Sequence, residues 1–288
     1  RSRFCGAGGT AVGPDLFRFF GALNVNLKQA YGATEFPVIS VQSDEDTTAE
    51  SVGAPVPGVE ARISDEGEIL IGGAGTFIGY YKDEEATQKS KKGRWIYTAD
   101  AGNIDEGGRI IFIDRMADLV TLPTGKFSPQ YIENRLKFSP YVKDCFALGG
   151  VDMNRDYITS IINIDFPTVG SWAERRKIAY TTFADLSQRP EVYDLIEREI
   201  KSVNKLLPEG ARLKKFINLY KELDPDEAEL TRTRKLRRGF VDERYKDMIA
   251  ALYGEKEEIT TEVNVKYRDG REAKLSIPIS PRAVAEEK

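Results

Sequence analysis

Carboxylates, cations and glycine-rich segments carry whatever chemistry this chain performs, because it contains no histidine. That absence removes every Ser-His-Asp or Cys-His arrangement and every imidazole-held zinc site. Cys5 and Cys145 stand alone without a Cys-x-x-Cys pair, which reads as isolated thiols of a reducing compartment, the cytoplasm by default. Several glycine clusters invite a phosphate reading. Gly72-Gly73-Ala74-Gly75 lacks the strand-to-helix setting of a dinucleotide fingerprint, however, and Gly125-Lys126-Phe127 lacks the Ser or Thr of a P-loop, so each taken singly is a turn. The densest positive charge is Leu230-Thr231-Arg232-Thr233-Arg234-Lys235-Leu236-Arg237-Arg238. On composition alone it is a solvated basic face or a patch for anionic lipid, which would make any membrane contact peripheral.

The elements that must position these groups follow from patterning. With 288 residues, of which 41% are hydrophobic, the chain is long enough for more than one folding unit. Its 46 acidic and 42 basic residues are interspersed, which argues against a nucleic-acid partner. No apolar run is long enough to span a bilayer, and the start at Arg1 reads as that of a fragment. Gly13-Pro14 opens a short amphipathic helix with Leu16, Phe19, Phe20 and Leu23 on one face, followed by a strand that leads into Tyr31-Gly32. Alternation at Val59, Ala61 and Ile63, a break at Asp65-Glu66-Gly67, then Ile69 and Ile71 predicts a hairpin, and Gly107-Gly108 predicts another. Asp83 caps a helix running to about Lys92.

Beyond residue 115 the pattern predicts a loop with Pro123 and Gly125, then a helix entered through Ser128-Pro129. Strands follow near Val142 to Leu148 and Tyr157 to Ile164, with another at Phe216 to Tyr220. Two long helical faces are predicted, one through Val192, Ile196, Ile200 and Leu207, the other through Val241, Tyr245, Met248 and Leu252. After an acidic bridge, alternation on either side of Asp269-Gly270 predicts a terminal β-hairpin. Its apolar face favours packing on the domain, and its edge offers a route to a homo-oligomer.

The informative signal is an ordered set: Gly8-Gly9-Thr10, Tyr31-Gly32-Ala33-Thr34-Glu35, Tyr97-Thr98-Ala99-Asp100, Asp114-Arg115-Met116-Ala117-Asp118, Gly125, Pro129 to Glu133, and the basic run around Lys235. In this order and over most of its length the chain resembles the adenylate-forming superfamily, and within it the long-chain acyl-CoA synthetases. The resemblance implies an α/β and α+β architecture. Residues 1–115 would form the end of the large AMP-binding domain, with a small β-rich subdomain at about 59–114. Residues 116–254 would form a mobile α+β C-terminal domain hinged at Asp118, and residues 255–288 the acidic bridge and hairpin.

The resemblance also implies an acid–thiol ligase that uses ATP, Mg2+ and coenzyme A on a fatty or other carboxylic acid. Gly8, Gly9 and Thr10 would approach the nucleotide, Tyr31 would face the adenine, and Gly32 would keep the turn open. Thr34 would donate to phosphate and Glu35 would ligate magnesium. Asp100 would accept both ribose hydroxyls, Arg115 would also reach the nucleotide, Lys235 would bridge the substrate carboxylate and the α-phosphate, and Gly125 would enter on the coenzyme A side. Three positions depart from the family pattern: Ala99 for glycine, Ala117 for a common lysine, and Arg232 for proline. The family's phosphate-gripping loop has no counterpart here, so this piece alone is expected to be inactive. The alternatives are a ligase for aromatic or medium-chain acids, an adenylation module of a carrier system, and a catalytically silent nucleotide-binding or interaction module.

Overall fold

The computed structural model describes residues 5–9, 12–46, 48–223, 238–254, 258–266 and 272–285. They fall into two compact units, Arg1–Leu119 and Val120–Lys288.

The first unit begins with β1 (Cys5–Ala7), α1 (Pro14–Ala22), β2 (Leu27–Ala33), β3 (Phe36–Val41) and β4 (Ala54–Pro55), in a four-stranded sheet ordered β1-β2-β3-β4. β1 and β2 run parallel, and the other pairs are antiparallel. α1 starts at the predicted proline, but it buries Pro14 and Phe17. The expected apolar face at Leu16, Phe19 and Leu23 is exposed among the described residues, a correction to the periodicity reading. A shift of one residue rotates the facing by about 100° and is easily misread in so short a helix.

A second sheet of five strands follows: β5 (Val59–Ile63), β6 (Glu68–Gly73), then α2 (Glu84–Ser90), β7 (Lys91–Lys92), β8 (Trp95–Ile104) and β9 (Ile110–Arg115). Both predicted hairpins form, β5 with β6 and β8 with β9. Asp83 caps α2 by accepting from the Ala86 amide at 2.9 Å. The helix stops at Ser90 because Lys91 and Lys92 join the sheet as β7, pairing with Ile96 and Trp95. The two sheets share a core of Tyr31, Phe36, Ile39, Ile69, Ile71 and Ile110.

The second unit opens with β10 (Val120–Leu122) and β11 (Gly125–Phe127), a hairpin where a loop is predicted. It continues through α3 (Pro129–Leu136), β12 (Val142–Gly150), β13 (Arg155–Ile164), α4 (Phe166–Arg175), α5 (Phe183–Ser187), α6 (Pro190–Asn204), β14 (Leu213–Asn218), α7 (Arg238–Arg244) and α8 (Lys246–Tyr253). The chain then forms the hairpin β15 (Ile259–Lys266) and β16 (Glu272–Ile279), and ends in β17 (Arg282–Ala283).

Side-chain alternation along β12 sends Cys145 and Ala147 to one face of the sheet β12-β13-β14-β17 and Phe146 and Leu148 to the other. Helical residues such as Ile132, Trp172, Ile196 and Ile200 cover the first face; Val241, Tyr245, Met248 and Leu252 cover the second. The single helix predicted over this last set is interrupted at Tyr245. Its i→i+4 bonds nonetheless continue from Tyr245 to Val241 and from Ile249 to Tyr245, so the apolar face is unbroken.

The turn expected at Asp269-Gly270 lies outside the described residues. The hairpin it would close packs by its base, with Ile279 fully buried against the second face. β17 then pairs antiparallel with β14, and Arg282 ion-pairs with Asp194 of α6 at 2.6 Å.

Candidate functional site

The parallel pairing of β1 with β2 places Gly8 and Gly9, just past β1, alongside the second half of β2. A Cβ on Gly8 would stand 3.1 Å from the Ala30 carbonyl oxygen. Carboxyl ends of parallel strands are where α/β sheets open their backbone to ligands. Gly32 sits at a register irregularity in β2, where a Cβ would lie 2.0 Å from the Pro37 carbonyl oxygen, so only glycine fits. Ala33 pairs with Phe36, which makes Thr34 and Glu35 the turn between β2 and β3, with Thr34 exposed and Glu35 half-buried.

Tyr31 points the other way. Its ring packs against Phe112 at 5.8 Å, within the apolar core of the unit, and the residue is only 8% exposed. The flat face that the resemblance turns towards adenine is thus enclosed, and it is the polar end of Tyr31 that reaches the site. Its hydroxyl donates to Asp100 Oδ2 at 2.5 Å.

Asp100 is 1% exposed, on β8 opposite Arg115 of β9. Arg115 Nη1 stands 2.8 Å from Asp100 Oδ1 as an ion pair. Among the described residues none donates a hydrogen bond to Oδ1. The same nitrogen donates to the Thr98 carbonyl at 3.3 Å, and the arginine side chain is 57% exposed, so it covers the carboxylate from the solvent side.

Two neighbours hold the turn that presents Asp100. The Thr98 hydroxyl donates to the Ile69 carbonyl at 2.8 Å and accepts from the Asp100 amide at 3.2 Å. Ala99 adopts φ +56°, and its amide donates to Glu68 Oε1 at 2.7 Å. Burial raises the Asp100 carboxyl above its ordinary range; the Tyr31 hydrogen bond and the Arg115 charge oppose this, and the carboxylates of Glu35 and Glu68 add to it. Burial and then the Asp100 charge push the Tyr31 phenol far up, so it stays protonated as the donor.

Glu35 accepts a hydrogen bond at Oε1 from the Tyr80 hydroxyl, and its carbonyl accepts from the Phe77 amide at 2.9 Å. No cation among the described residues pairs with it. Glu68 and Tyr80 are absent from the ordered motifs, and Thr98 enters them only beside Asp100. Tyr80 has a signal of its own, an aromatic pair after Gly79 just before the Asp83 cap.

The structure therefore gathers Gly8, Gly9, Tyr31, Gly32, Thr34, Glu35, Asp100 and Arg115 in the first unit. Asp118 ends a single 3-10 turn over Met116–Asp118, exposed, next to the division between the units. Gly125 belongs to the second unit, where it begins β11 with φ +137°, a backbone that disfavours any side chain although the space around it is open. Thr10 and Lys235 lie outside the described residues.

The long-chain-fatty-acid–CoA ligase of Mycobacterium bovis is 29% identical to this chain over 250 residues, covering 86% of this chain and 41% of the relative. The peroxisomal long chain acyl-CoA synthetase 7 of Arabidopsis thaliana is 29% identical over 275 residues, covering 88% and 39%. The chain thus spans about two fifths of the length of such relatives. Among solved structures, the adenylation domain of a carboxylate reductase from Mycobacterium chelonae shares the fold with a TM-score of 0.65 at 21% identity, covering 86% of this chain and 38% of that one. Residues 1–81 match the AMP-binding enzyme family and residues 117–257 match the AMP-binding enzyme C-terminal domain, and the chain belongs to that adenylate-forming family.

Proposed function

We propose that this chain forms part of an ATP-dependent long-chain fatty acid–CoA ligase and carries most of its contacts to the nucleoside. The observation that supports this most directly is Asp100: a carboxylate kept buried, held on Oδ2 by Tyr31, with Oδ1 accepting no hydrogen bond from the described residues. Perturbed, specifically partnered carboxylates of this kind cluster at binding sites. The names of the relatives supply the acid and thiol classes.

Under this reading the substrate carboxylate attacks the α-phosphorus of ATP, an O–P bond forms, the bond to the β-phosphate breaks and pyrophosphate leaves. The coenzyme A thiolate then attacks the acyl carbon, and AMP departs with the bonding pair. Asp100 accepts the ribose hydroxyls once Arg115 yields Oδ1, and Arg115 stays near the nucleotide as a fixed charge. Gly8, Gly9, Thr10 and Gly32 let backbone come close, and the Thr34 hydroxyl donates to phosphate. Lys235 lowers the repulsion between the two anions of the first step. Asp118 is the hinge between the two half-reactions, and Gly125 follows it on the coenzyme A side.

A magnesium ion carried on nucleotide phosphates takes one or two protein oxygens. Glu35 fits that need, being half-buried with a neutral donor on Oε1 and no cation partner among the described residues. An all-protein cage does not fit, because no group of three or more His, Cys, Asp or Glu among the described residues is placed to hold a metal. When bound, magnesium would offset charge on the departing pyrophosphate. No helix among the described residues is long and apolar enough to cross a membrane, and the reading, a cytoplasmic enzyme, requires none.

Calorimetric titration of the chain with AMP tests the reading. Binding is expected, with Asp100→Ala weakening it roughly 10- to 150-fold, the range for losing one charge-assisted hydrogen bond. Absent binding, or an unchanged affinity in the variant, overturns it.

A further inference from the structure

Tyr80, the neutral donor on Glu35 Oε1, is itself braced near the β2–β3 turn. Its amide donates to the Thr87 hydroxyl at 2.9 Å, and that hydroxyl donates to the Asp83 carbonyl at 2.8 Å, so the first turn of α2 fixes the tyrosine backbone. Its ring meets Phe77 edge-on at 5.0 Å. Phe77 is tied in turn to the Glu35 carbonyl by its amide, at 2.9 Å, and to Lys91 Nζ by its own carbonyl, at 3.1 Å. Gly79 leaves room for this arrangement, since a Cβ there would fall 2.9 Å from the Thr87 methyl. The phenol and the carboxylate it serves are therefore held from both sides, and the two segments they join are 45 residues apart in the chain.

We propose that Tyr80 is a positioning residue for Glu35: its hydroxyl occupies Oε1, holds the side chain in one rotamer, and leaves Oε2 as the oxygen offered to a divalent cation carried on nucleoside triphosphate phosphates. A second observation points the same way. The partner of this half-buried carboxylate is a neutral phenol, with no Lys or Arg of the described residues paired to Glu35. Among the described residues no salt bridge offsets its charge, and it stands beside an exposed threonine at a glycine-bordered turn. A neutral donor orients a metal-binding carboxylate without competing with the metal for charge. The inference rests on the nucleotide reading of this unit and adds to it the residue that sets how Glu35 is presented.

The test compares binding of Mn2+–ATP, metal-free ATP and AMP to the intact chain by calorimetry, with bound Mn2+ followed by electron paramagnetic resonance. The wild-type chain is expected to bind Mn2+–ATP more tightly than metal-free ATP, and Glu35→Gln to abolish that difference. Tyr80→Phe is expected to shrink the difference roughly 3- to 10-fold, as for one lost hydrogen bond, while AMP affinity is unchanged. The double variant should be no worse than Glu35→Gln alone. Thr87→Val, which removes the acceptor under the Tyr80 amide, should act in the same direction and guards against a folding defect in the first variant. If Glu35→Gln abolishes the metal-dependent difference and both Tyr80→Phe and Thr87→Val preserve it, the role of Tyr80 is wrong and the nucleotide reading stands. If Glu35→Gln keeps the difference, the metal role of Glu35 and with it that of Tyr80 is wrong while the nucleotide reading stands; if AMP itself fails to bind, both fall.

Discussion

Replacing Tyr31 by phenylalanine removes one hydroxyl from the centre of the first unit and leaves the packing of its ring intact. The hydroxyl donates at 2.5 Å to a carboxylate that is 1% exposed and whose other oxygen accepts no hydrogen bond from the described residues. Loss of a buried hydrogen bond to a charged group costs about 1.5–3 kcal/mol, against about 0.5–1.5 kcal/mol for a neutral pair. Tyr31→Phe should therefore destabilise the chain by about 2 kcal/mol at neutral pH.

The pH dependence has a definite sign. Burial raises the Asp100 carboxyl in the folded state, so the folded protein holds this proton more firmly than the unfolded chain, and the stability Asp100 permits falls as pH rises through its folded value. The Tyr31 bond is the foremost influence lowering that value; without it the carboxyl rises further. The penalty of Tyr31→Phe is thus full where Asp100 is ionised, and it shrinks towards the neutral figure as acid protonates the group. Asp100→Asn supplies the same neutral state at every pH, because its amide oxygen still accepts from Tyr31.

Urea unfolding of the four proteins in this cycle, at pH 7 and about pH 4, close to the ordinary carboxyl range, should show a coupling of about 1 kcal/mol or more that fades on acidification. Equal costs of Tyr31→Phe in the wild-type and Asp100→Asn backgrounds, or a penalty that grows in acid, would refute the reasoning.

Other expectations follow from single contacts. Ala99 holds φ +56° where the family pattern has glycine, so Ala99→Gly should stabilise the chain by about 1 kcal/mol in urea unfolding, and a destabilisation would mean that the methyl group packs usefully. Ile279 is fully buried at the base of the terminal hairpin, so Ile279→Ala should cost about 2–5 kcal/mol; an unchanged midpoint would leave the hairpin free for another partner. In the full-length enzyme, Lys235→Ala should slow acyl-adenylate formation roughly 100- to 1,000-fold and spare the conversion of supplied acyl-adenylate to thioester, and equal loss of both half-reactions would remove its assigned role.

What was legible in the sequence was local. Ser128 and Asp83 cap their helices by bonds spanning three residues, and strand alternation decides which face of β12 each side chain joins, so a linear reading finds both. α4 is not among the predicted elements, although Asp165 caps it by accepting from the Thr168 amide at 3.1 Å and Pro167 stands in its first turn. β17 is two residues long and owes its existence to the edge of β14, which no pattern within it announces. The site divides in the same way. The order of the motifs nominates candidate residues, but the bond between Tyr31 and Asp100 spans 69 residues and exists because the two sheets of the first unit share one core. Nothing near Tyr31 in the chain says that its ring is inside and its hydroxyl is the working end. The same holds for Glu35, whose residue type suits a metal ligand and whose Oε1 is engaged by a partner 45 residues on. Residue type gives the chemistry a position can perform; the tertiary partner decides which atom performs it, and so the decisive experiments above alter the partner as well as the group.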